Sequence, residues 1–515
     1  MAMSGVDGSR VPNWVSWILL LGVALGLRVW GLQDDPNGFW TDEAANGYFS
    51  YCLLETGRGP SGELLPLFSQ SLGDANESLY RFLTVPSLAL FGLTAFAVRL
   101  PAALAGMLTV WSLQRVTSAW FGRVAGWSAA WLLALSPWHL QFSRAAFRTI
   151  LLPLLVCLGL QAFQQGIGDR PRRLLLSGFL FGLGLYSYSA GRVFVPLLVG
   201  SLCLLFWREL LRRRRDAIGF VLIFVAILLV LLPFWVSSSG LARAESVRVE
   251  TWGQGVLNYL SYFDPAFLFF EGDDLLRHSL RGFGQLHRME MLTLLLGFTV
   301  MASERRRSHW VLLAWLLAYP LAAAVAVEPH HALRSLIGAP IFAIISGVGL
   351  GALYQQVGKP RVRQVVIGMF SVALLVSAGL WVMAYFGSYR VYGAPAWKYG
   401  FEEALTVAGE SSAPCLVMSN ELMAPHLFYL FYRQVDPEVY RVSPWSAAPD
   451  IKIESYTLGN FHVLPVESAL VQHSECAFIT EAWERPLATD GHTVHYPDGS
   501  VALEVFKISP AQFAP

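Results

Sequence analysis

The sequence predicts an all-α polytopic membrane domain followed by a small extracytoplasmic domain of α/β or α+β type. Three observations carry that reading: the composition, a succession of apolar segments of spanning length, and a polar tail of about 128 residues beyond the last of them. Of the 515 residues, 55% are hydrophobic and only 14% are charged, against about 25% charged in an ordinary soluble domain. Gly 45, Phe 33 and Trp 18 suit membrane helices with aromatic belts. Intrinsic disorder, which needs low hydrophobicity and high net charge, is excluded. A net charge of +1 leaves no basic field for phosphates, so no nucleic-acid partner is expected. The 5 cysteines contain no CxxC pair, so neither a zinc ribbon nor a disulfide scaffold is indicated.

A helix crosses a hydrocarbon core with about 20 apolar residues. The segments that meet this, in order, are Trp14–Leu32, Arg99–Ala119, Arg123–His139, Ala145–Gln165, Arg173–Ala190, Arg192–Trp207, Ala217–Val236, Met289–Ser303, Ser308–Val327, His331–Tyr354 and Arg363–Gly387. Ala217–Val236 does so without a single charge, whereas Met289–Ser303 is short. The first segment is followed by no A-x-A cleavage pattern and reads as a retained anchor. Basic clusters at Arg170–Arg173, Arg208–Arg215, Arg305–Arg307 and Lys359–Arg363 belong to the cytoplasm by the positive-inside rule. That parity leaves Tyr80–Val98, broken by Pro86, as a juxtamembrane helix rather than a span. The expectation is therefore about eleven spans in a plasma (inner) membrane, with a cytoplasmic N-terminus.

The membrane domain covers 1–387, with outer loops at 33–98 and 237–288. The tail, 388–515, is an extracytoplasmic domain predicted to pack over or beside these loops. It alternates strand-like runs (Cys415–Met418, Cys476–Thr480) with a helical run, Leu422–Phe431. His492–Ala502 reads as two strands joined at Asp498-Gly499. Cys415 and Cys476 stand near predicted strands, where an oxidising compartment permits a disulfide or leaves two free thiols. Cys157 and Cys203, inside spans, read as packing residues.

The most informative short motif is Gly38-Phe-Trp-Thr-Asp-Glu-Ala-Ala, where the chain leaves the first span. Asp42 and Glu43 there have two readings: caps of the following helix, or a general base partly desolvated at the membrane face. Further stretches extend the pattern. They are Ala97-Val-Arg-Leu-Pro-Ala-Ala-Leu-Ala-Gly, Leu135-Ser-Pro-Trp-His-Leu-Gln-Phe-Ser-Arg-Ala-Ala-Phe-Arg, Leu183-Gly-Leu-Tyr-Ser-Tyr-Ser-Ala-Gly-Arg, Phe267-Leu-Phe-Phe-Glu-Gly-Asp-Asp-Leu-Leu-Arg-His-Ser and Pro329-His-His-Ala-Leu-Arg.

As an ordered set over residues 1–390, these resemble the protein O-mannosyltransferase and aminoarabinose-transferase group of membrane glycosyltransferases, of the family 39-like bacterial type. The resemblance implies a GT-C fold and transfer of a sugar, with inversion, from a polyprenyl-phosphate carrier to an acceptor on the outer face. It also implies that Asp42 is the catalytic base and Glu43 its acidic neighbour. Some relatives carry a second acidic residue where this chain has Arg148-Thr149, so a second carboxylate and a metal requirement do not carry over.

Such a donor leaves a lipid phosphate whose negative charge grows in the transition state, which basic groups stabilise. Candidates at outer helix ends are Arg144, Arg148, Arg192, His330, His331 and Arg334, while Arg277-His278 in the second outer loop has readings as a headgroup contact, a substrate contact or neither. Arg99 and Arg144 have an alternative reading as residues snorkelling to headgroups. Arg334 reads as one turn inside its span, where snorkelling is harder. His278, His330 and His331 with Asp42 or Glu43 could be imagined around a divalent metal, but the spacing carries no ligand signature, so no metal ligand is assigned and the cofactor is unknown. The expected partners are the lipid-linked sugar, membrane lipids and an acceptor that could be protein, lipid or glycan. Two other classes compete: a transporter or flippase of a lipid-linked saccharide, and a non-catalytic assembly partner. A transporter would place its charges near the midplane and show internal repeats, and neither is visible.

Overall fold

The structure, a computed structural model, describes residues 13–71, 74–235, 237, 249–443, 455–486 and 491–508. Residues 238–248 of the second outer loop, 444–454 and 487–490 of the tail, and both chain ends lie outside the described residues. The chain is mostly helical, with a small sheet domain at its C-terminal end.

Among the described residues, 5 helices are long and apolar enough to cross a membrane: Ala95–Phe121, Arg148–Ile167, Arg214–Trp235, Gly338–Gln356 and Pro360–Phe386. Asn13–Val29, Leu79–Phe91, Arg173–Gly184, Gly191–Leu205 and Glu290–Ser303 are apolar but shorter. Arg214–Trp235 and Pro360–Phe386 turn rows of leucine and valine outward, including Leu222, Leu229, Val372 and Leu375. A surface that apolar is stable only against lipid or another protein. Gly338–Gln356 lies at the centre, packed on Arg123–Leu135 and Glu290–Ser303. Its approach to the second of these needs glycine on both sides: a Cβ at Gly297 would collide with the Ile345 carbonyl, and one at Gly349 with that of Thr293.

Several expected helices differ in their bounds: that expected over Ser308–Val327 stops at Ala318, and that over Arg173–Ala190 stops at Gly184. Tyr80–Val98 is not one helix: Leu79–Phe91 stops at Gly92, whose φ of +71° only glycine adopts without strain, and Ala95–Phe121 begins after a Thr94 cap. The span expected from His331 starts only at Gly338. Residues 328–337 form consecutive turns, with His330 at φ +55°, so Arg334 sits in a loop at the helix mouth rather than one turn inside. The apolar run misled there because Ala332, Leu333 and Leu336 pack as a folded loop, with Ala332 and Leu336 buried.

The first outer loop supplies a helix, Thr41–Thr56, and a hairpin of β1 (Phe68–Ser71) and β2 (Asp74–Glu77). The C-terminal sheet has strands β3 (Leu416–Ser419), β4 (Tyr456–Leu458), β5 (Phe461–Leu464), β6 (Ala477–Thr480), β7 (Gly491–His495) and β8 (Val501–Lys507), in the order β4-β5-β3-β6-β8-β7. β3 is central and parallel to both β5 and β6, and it is buried along its length. That burial matches the unbroken apolar run Leu416-Val-Met. β7 and β8 form a hairpin with Gly499 at φ +87° in its turn. The expected helix Leu422–Phe431 begins instead at Pro425 and runs to Tyr432, because Pro425 occupies the first turn. A Cys415–Cys476 disulfide ties the starts of β3 and β6, which settles the pairing that spacing left open.

The tail docks on the first outer loop. Helix Pro425–Tyr432 packs against Thr41–Thr56, with Phe39 and Phe431 rings 4.7 Å apart. Gly47 is the contact point, since a Cβ there would meet Phe431 and Val98.

Candidate functional site

A cavity of about 370 Å³ opens between the first outer loop, the second outer loop and the 328–334 turn. Its wall includes Trp40, Asp42, Asn46, Asn76, Arg148, Tyr188, Arg277, His278, Glu328, His331, Arg334 and Met423. The structure thus brings Asp42, Arg148, His278, His331 and Arg334 to one place, from segments far apart in sequence. Arg192 and Glu43 do not line it.

Asp42 stands in the first turn of Thr41–Thr56, half-exposed toward the cavity. Trp40 Nε1–H donates to Asp42 Oδ2 at 2.9 Å, and the Arg277 guanidinium lies 3.6 Å above the Trp40 ring. Arg277, Trp40 and Asp42 therefore form one packed wall, joined by a cation–π contact and a hydrogen bond. Burial lowers the pKa of Arg277 from its ordinary value, and the Asp42 charge pulls the other way.

Glu43 points into protein. Arg99 Nε–H donates to Oε1 at 2.8 Å and Arg99 Nη2 donates to Oε2 at 3.0 Å. The same carboxylate accepts from the Ala146 and Trp40 N–H groups, at 2.9 and 3.1 Å. Both side chains of the ion pair are 0% exposed. Adjacent helical residues diverge by about 100°, which is how neighbouring carboxylates reach opposite environments. Arg99 also donates to the carbonyls of Leu32, Gln33, Pro36 and Gly38. The snorkelling reading of Arg99 fails on these bonds, and that of Arg144 fails likewise. Arg144 is buried, donating to the carbonyls of Leu27 and Trp30 at 2.7 Å and of Asp35 at 3.3 Å.

Arg148 lines the cavity and Arg192 stands behind it, both held by Glu77 at the end of β2. Arg148 lies 3.6 Å from Glu77 Oε2, and Arg192 pairs with Oε1. Burial alone raises the Glu77 pKa, but Arg148 and Arg192 override it and hold the carboxyl below its ordinary value.

On the far wall His278 Nδ1 lies 2.8 Å from Asp273 Oδ2, which also accepts from Ala332 N–H at 2.6 Å. The His278 and His331 rings are 4.7 Å apart. Two further bonds hold the turn: Trp138 Nε1–H to the Ala332 carbonyl at 3.0 Å and the Thr149 hydroxyl to that of Leu333 at 3.1 Å. Arg334 Nη2 lies 3.3 Å from Glu328 Oε2, and His331 Nε2 lies 3.8 Å from it. Glu328 is 65% exposed. His330 does not reach the cavity wall and stacks on Phe267. Asp273, His278 and His331 present ligand atoms within 4.8 Å of one another, a donor set of the kind a divalent metal takes. Asp273 Oδ2 and His278 Nδ1, however, already bond each other.

Sequence reasoning weighed Arg277 only together with His278 and missed Glu77, Asp273 and Glu328. Asp273 stood in plain view in the run Glu271-Gly-Asp-Asp. Glu77 and Glu328 lie in polar loops where only packing shows what they face.

Comparisons with known proteins bear on the fold that carries this cavity. A family model described as dolichyl-phosphate-mannose-protein mannosyltransferase matches residues 79–236. No curated protein matches the chain by sequence. Among solved structures, ArnT from Cupriavidus metallidurans bound to undecaprenyl phosphate superposes with a TM-score of 0.62 at 14% identity, covering 98% of this chain and 100% of that one. The archaeal oligosaccharyltransferase AglB from Archaeoglobus fulgidus, in complex with an inhibitory peptide and a dolichol-phosphate, gives 0.53 at 13% identity, covering 98% and 75%. The chain shares the fold of ArnT, and its residues 79–236 match the mannosyltransferase family model. On this fold the cavity lies against the loop that follows the first helix of the bundle, and its basic wall comes from the turns between later helices.

Proposed function

We propose that the chain is an integral membrane glycosyltransferase that moves a sugar from a polyprenyl-phosphate carrier to an acceptor on the extracytoplasmic face, with inversion. The observation that carries this reading is the cavity itself: Asp42 and the guanidinium groups of Arg148, Arg277 and Arg334 share one wall-to-wall space. The relatives of the same fold, solved with undecaprenyl phosphate and dolichol-phosphate, support a lipid-phosphate ligand.

The roles follow from charge. The acceptor's nucleophile attacks the anomeric carbon, its proton passes to Asp42, and the bond from that carbon to the phosphate oxygen breaks. The phosphate keeps the electron pair, so a diester with one negative charge becomes a monoester with a second. Arg148, Arg277 and Arg334, with His278 and His331, face that growing charge. One cation at about 4 Å contributes roughly 4 kcal/mol at an effective dielectric near 20. Glu43 and Arg192 act through neighbours: Glu43 locks the loop carrying Asp42, and Arg192 shares Glu77 with Arg148. A divalent metal, if bound, would sit on Asp273, His278 and His331 and supply further positive charge beside the phosphate.

The reading includes about eleven membrane crossings, completed by the shorter helices through tilt or local thinning, with the N-terminus inside and the 1–387 and 388–515 domains divided at the last crossing. The transferred group is a hexosyl or pentosyl unit. Purified protein incubated with labelled undecaprenyl-phosphate sugars and scored for release of lipid phosphate tests the activity. Release that needs Asp42 supports it; no release from any donor, with transport of the intact lipid, would replace it with a flippase.

A further inference from the structure

A carboxylate and a guanidinium that line one cavity are drawn into an ion pair, and each is then lost to any other task. Asp42 and Arg277 line the same cavity, and the Asp42 charge reaches Arg277. Among the described residues they do not bond each other; both are held by the indole of Trp40 instead. Its face takes the Arg277 guanidinium, 3.6 Å from the ring centre, and its edge donates Nε1–H to Asp42 Oδ2 at 2.9 Å. An aromatic ring suits both partners, because its face is negative and its edge positive. The indole is itself fixed. Trp40 is buried, and its extended backbone (φ −75°, ψ 154°) caps Thr41–Thr56. Its N–H donates to Glu43 Oε2, and Glu43 is closed on Arg99. Arg277 Nη1 also donates to the Ala396 carbonyl at 3.4 Å, so the tail helps to hold the cation.

Resting on the reading of Asp42 as the base and Arg277 as a phosphate cation, we propose that Trp40 is a positioning residue whose indole keeps these two groups from neutralising each other. The hydrogen bond uses Oδ2 of Asp42 and leaves Oδ1 for the acceptor's proton. The stacking contact engages the flat face of the guanidinium and leaves its N–H edge for the lipid phosphate. Only an aromatic ring with an edge N–H serves both ends. Phenylalanine keeps the face and loses the donor, and leucine loses both.

Two variants of the full chain separate face from edge. Trp40→Phe should lower kcat by about 10- to 100-fold, the scale of a lost hydrogen bond to a charged group, and leave binding of undecaprenyl phosphate near wild type. Trp40→Leu lets Arg277 close on Asp42, so undecaprenyl phosphate binding should fall by at least ~10-fold. In an Asp42→Asn background no carboxylate is present to capture Arg277, and the same Trp40→Leu change should cost much less affinity. Turnover is read with the labelled undecaprenyl-phosphate sugar that wild-type protein consumes, and binding with undecaprenyl phosphate alone. The midpoint of thermal inactivation in detergent checks that each variant is folded; should Trp40→Leu not fold, the Trp40→Phe comparison decides alone. Wild-type kcat in folded Trp40→Phe overturns the proposal. Equal loss of affinity from Trp40→Leu in both backgrounds overturns it as well, because Arg277 is then not captured by Asp42. Normal turnover in Asp42→Asn refutes a different claim, that Asp42 is the base, and the binding comparison still decides whether Trp40 holds the two charges apart.

Discussion

The pocket around Arg99 and the cavity beside it use the same residue types to opposite ends. Arg99 is closed: a bidentate carboxylate and a ring of main-chain carbonyls take its donors, and no solvent reaches it. The cavity is open: Arg148, Arg277 and Arg334 face a common space with Asp42 across it, and their partners are at longer range or at the rim. A saturated buried pair is a fixture of the fold, while cations aimed into an open polar cavity are equipped to meet an incoming anion. Asp42 and Glu43 fall on either side of this divide although they are consecutive.

The sharpest break of that comparison is on the closed side. Glu43→Gln leaves the Arg99 charge buried without its counter-ion and should cost about 3–5 kcal/mol. The check is the midpoint of thermal inactivation in detergent, with expression as a second measure; a midpoint equal to wild type would mean that Arg99 is not held by Glu43. On the open side the order reverses. Asp42→Asn should leave that midpoint unchanged and reduce turnover by at least ~10²-fold. Normal turnover in Asp42→Asn, measured as lipid-phosphate release, removes the residue from the reaction.

A smaller effect is expected at Arg334. Losing a charge-assisted hydrogen bond costs about 1.5–3 kcal/mol, so Arg334→Ala should lower kcat/KM by roughly 10- to 100-fold. Arg334→Lys keeps the charge but not the planar fork and should fall between. Equal activity in all three proteins takes Arg334 out of the site.

The smallest effect belongs to Glu77, which joins the two sides by holding both Arg148 and Arg192. Its folded pKa lies below the ordinary 4.5, so its contribution is fully present above that ordinary value. It is lost as pH falls through the folded value. Acidification should therefore lower the wild-type inactivation midpoint through this group by a few degrees, on the order of 2–4 °C per kcal/mol. Glu77→Gln should start lower and respond less. A parallel response in both proteins would place the acid sensitivity elsewhere. The topology is checked separately: a cysteine introduced at the exposed Ser500 should react with a membrane-impermeant reagent from the outside, and protection until lysis would invert the orientation.

Much of this was legible in the chain. Long apolar runs report their own burial or lipid contact, so the helices fall close to the segments read from hydropathy. The motif after the first helix marks the cavity because its neighbours, Trp40 and Asp42, act locally. The basic candidates at His278, His331 and Arg334 were visible because charges next to apolar runs need a partner. Where a residue breaks helical geometry without a strong sequence signal, as in the turns before Gly338, the apolar pattern was read as helix.

By itself the sequence determined the class of the fold, the order of its helices and the acidic and basic residues offered as candidates, since these depend on composition and short-range periodicity. The tertiary structure alone decided which charges are spent inside the protein and which face the cavity. Glu43 meets Arg99 at a separation of 56 residues, Glu77 meets Arg192 at 115, and Cys415 meets Cys476 at 61. No local pattern encodes such pairs. They exist because packing brings distant segments to one point, where a buried charge or polar group must find its partner.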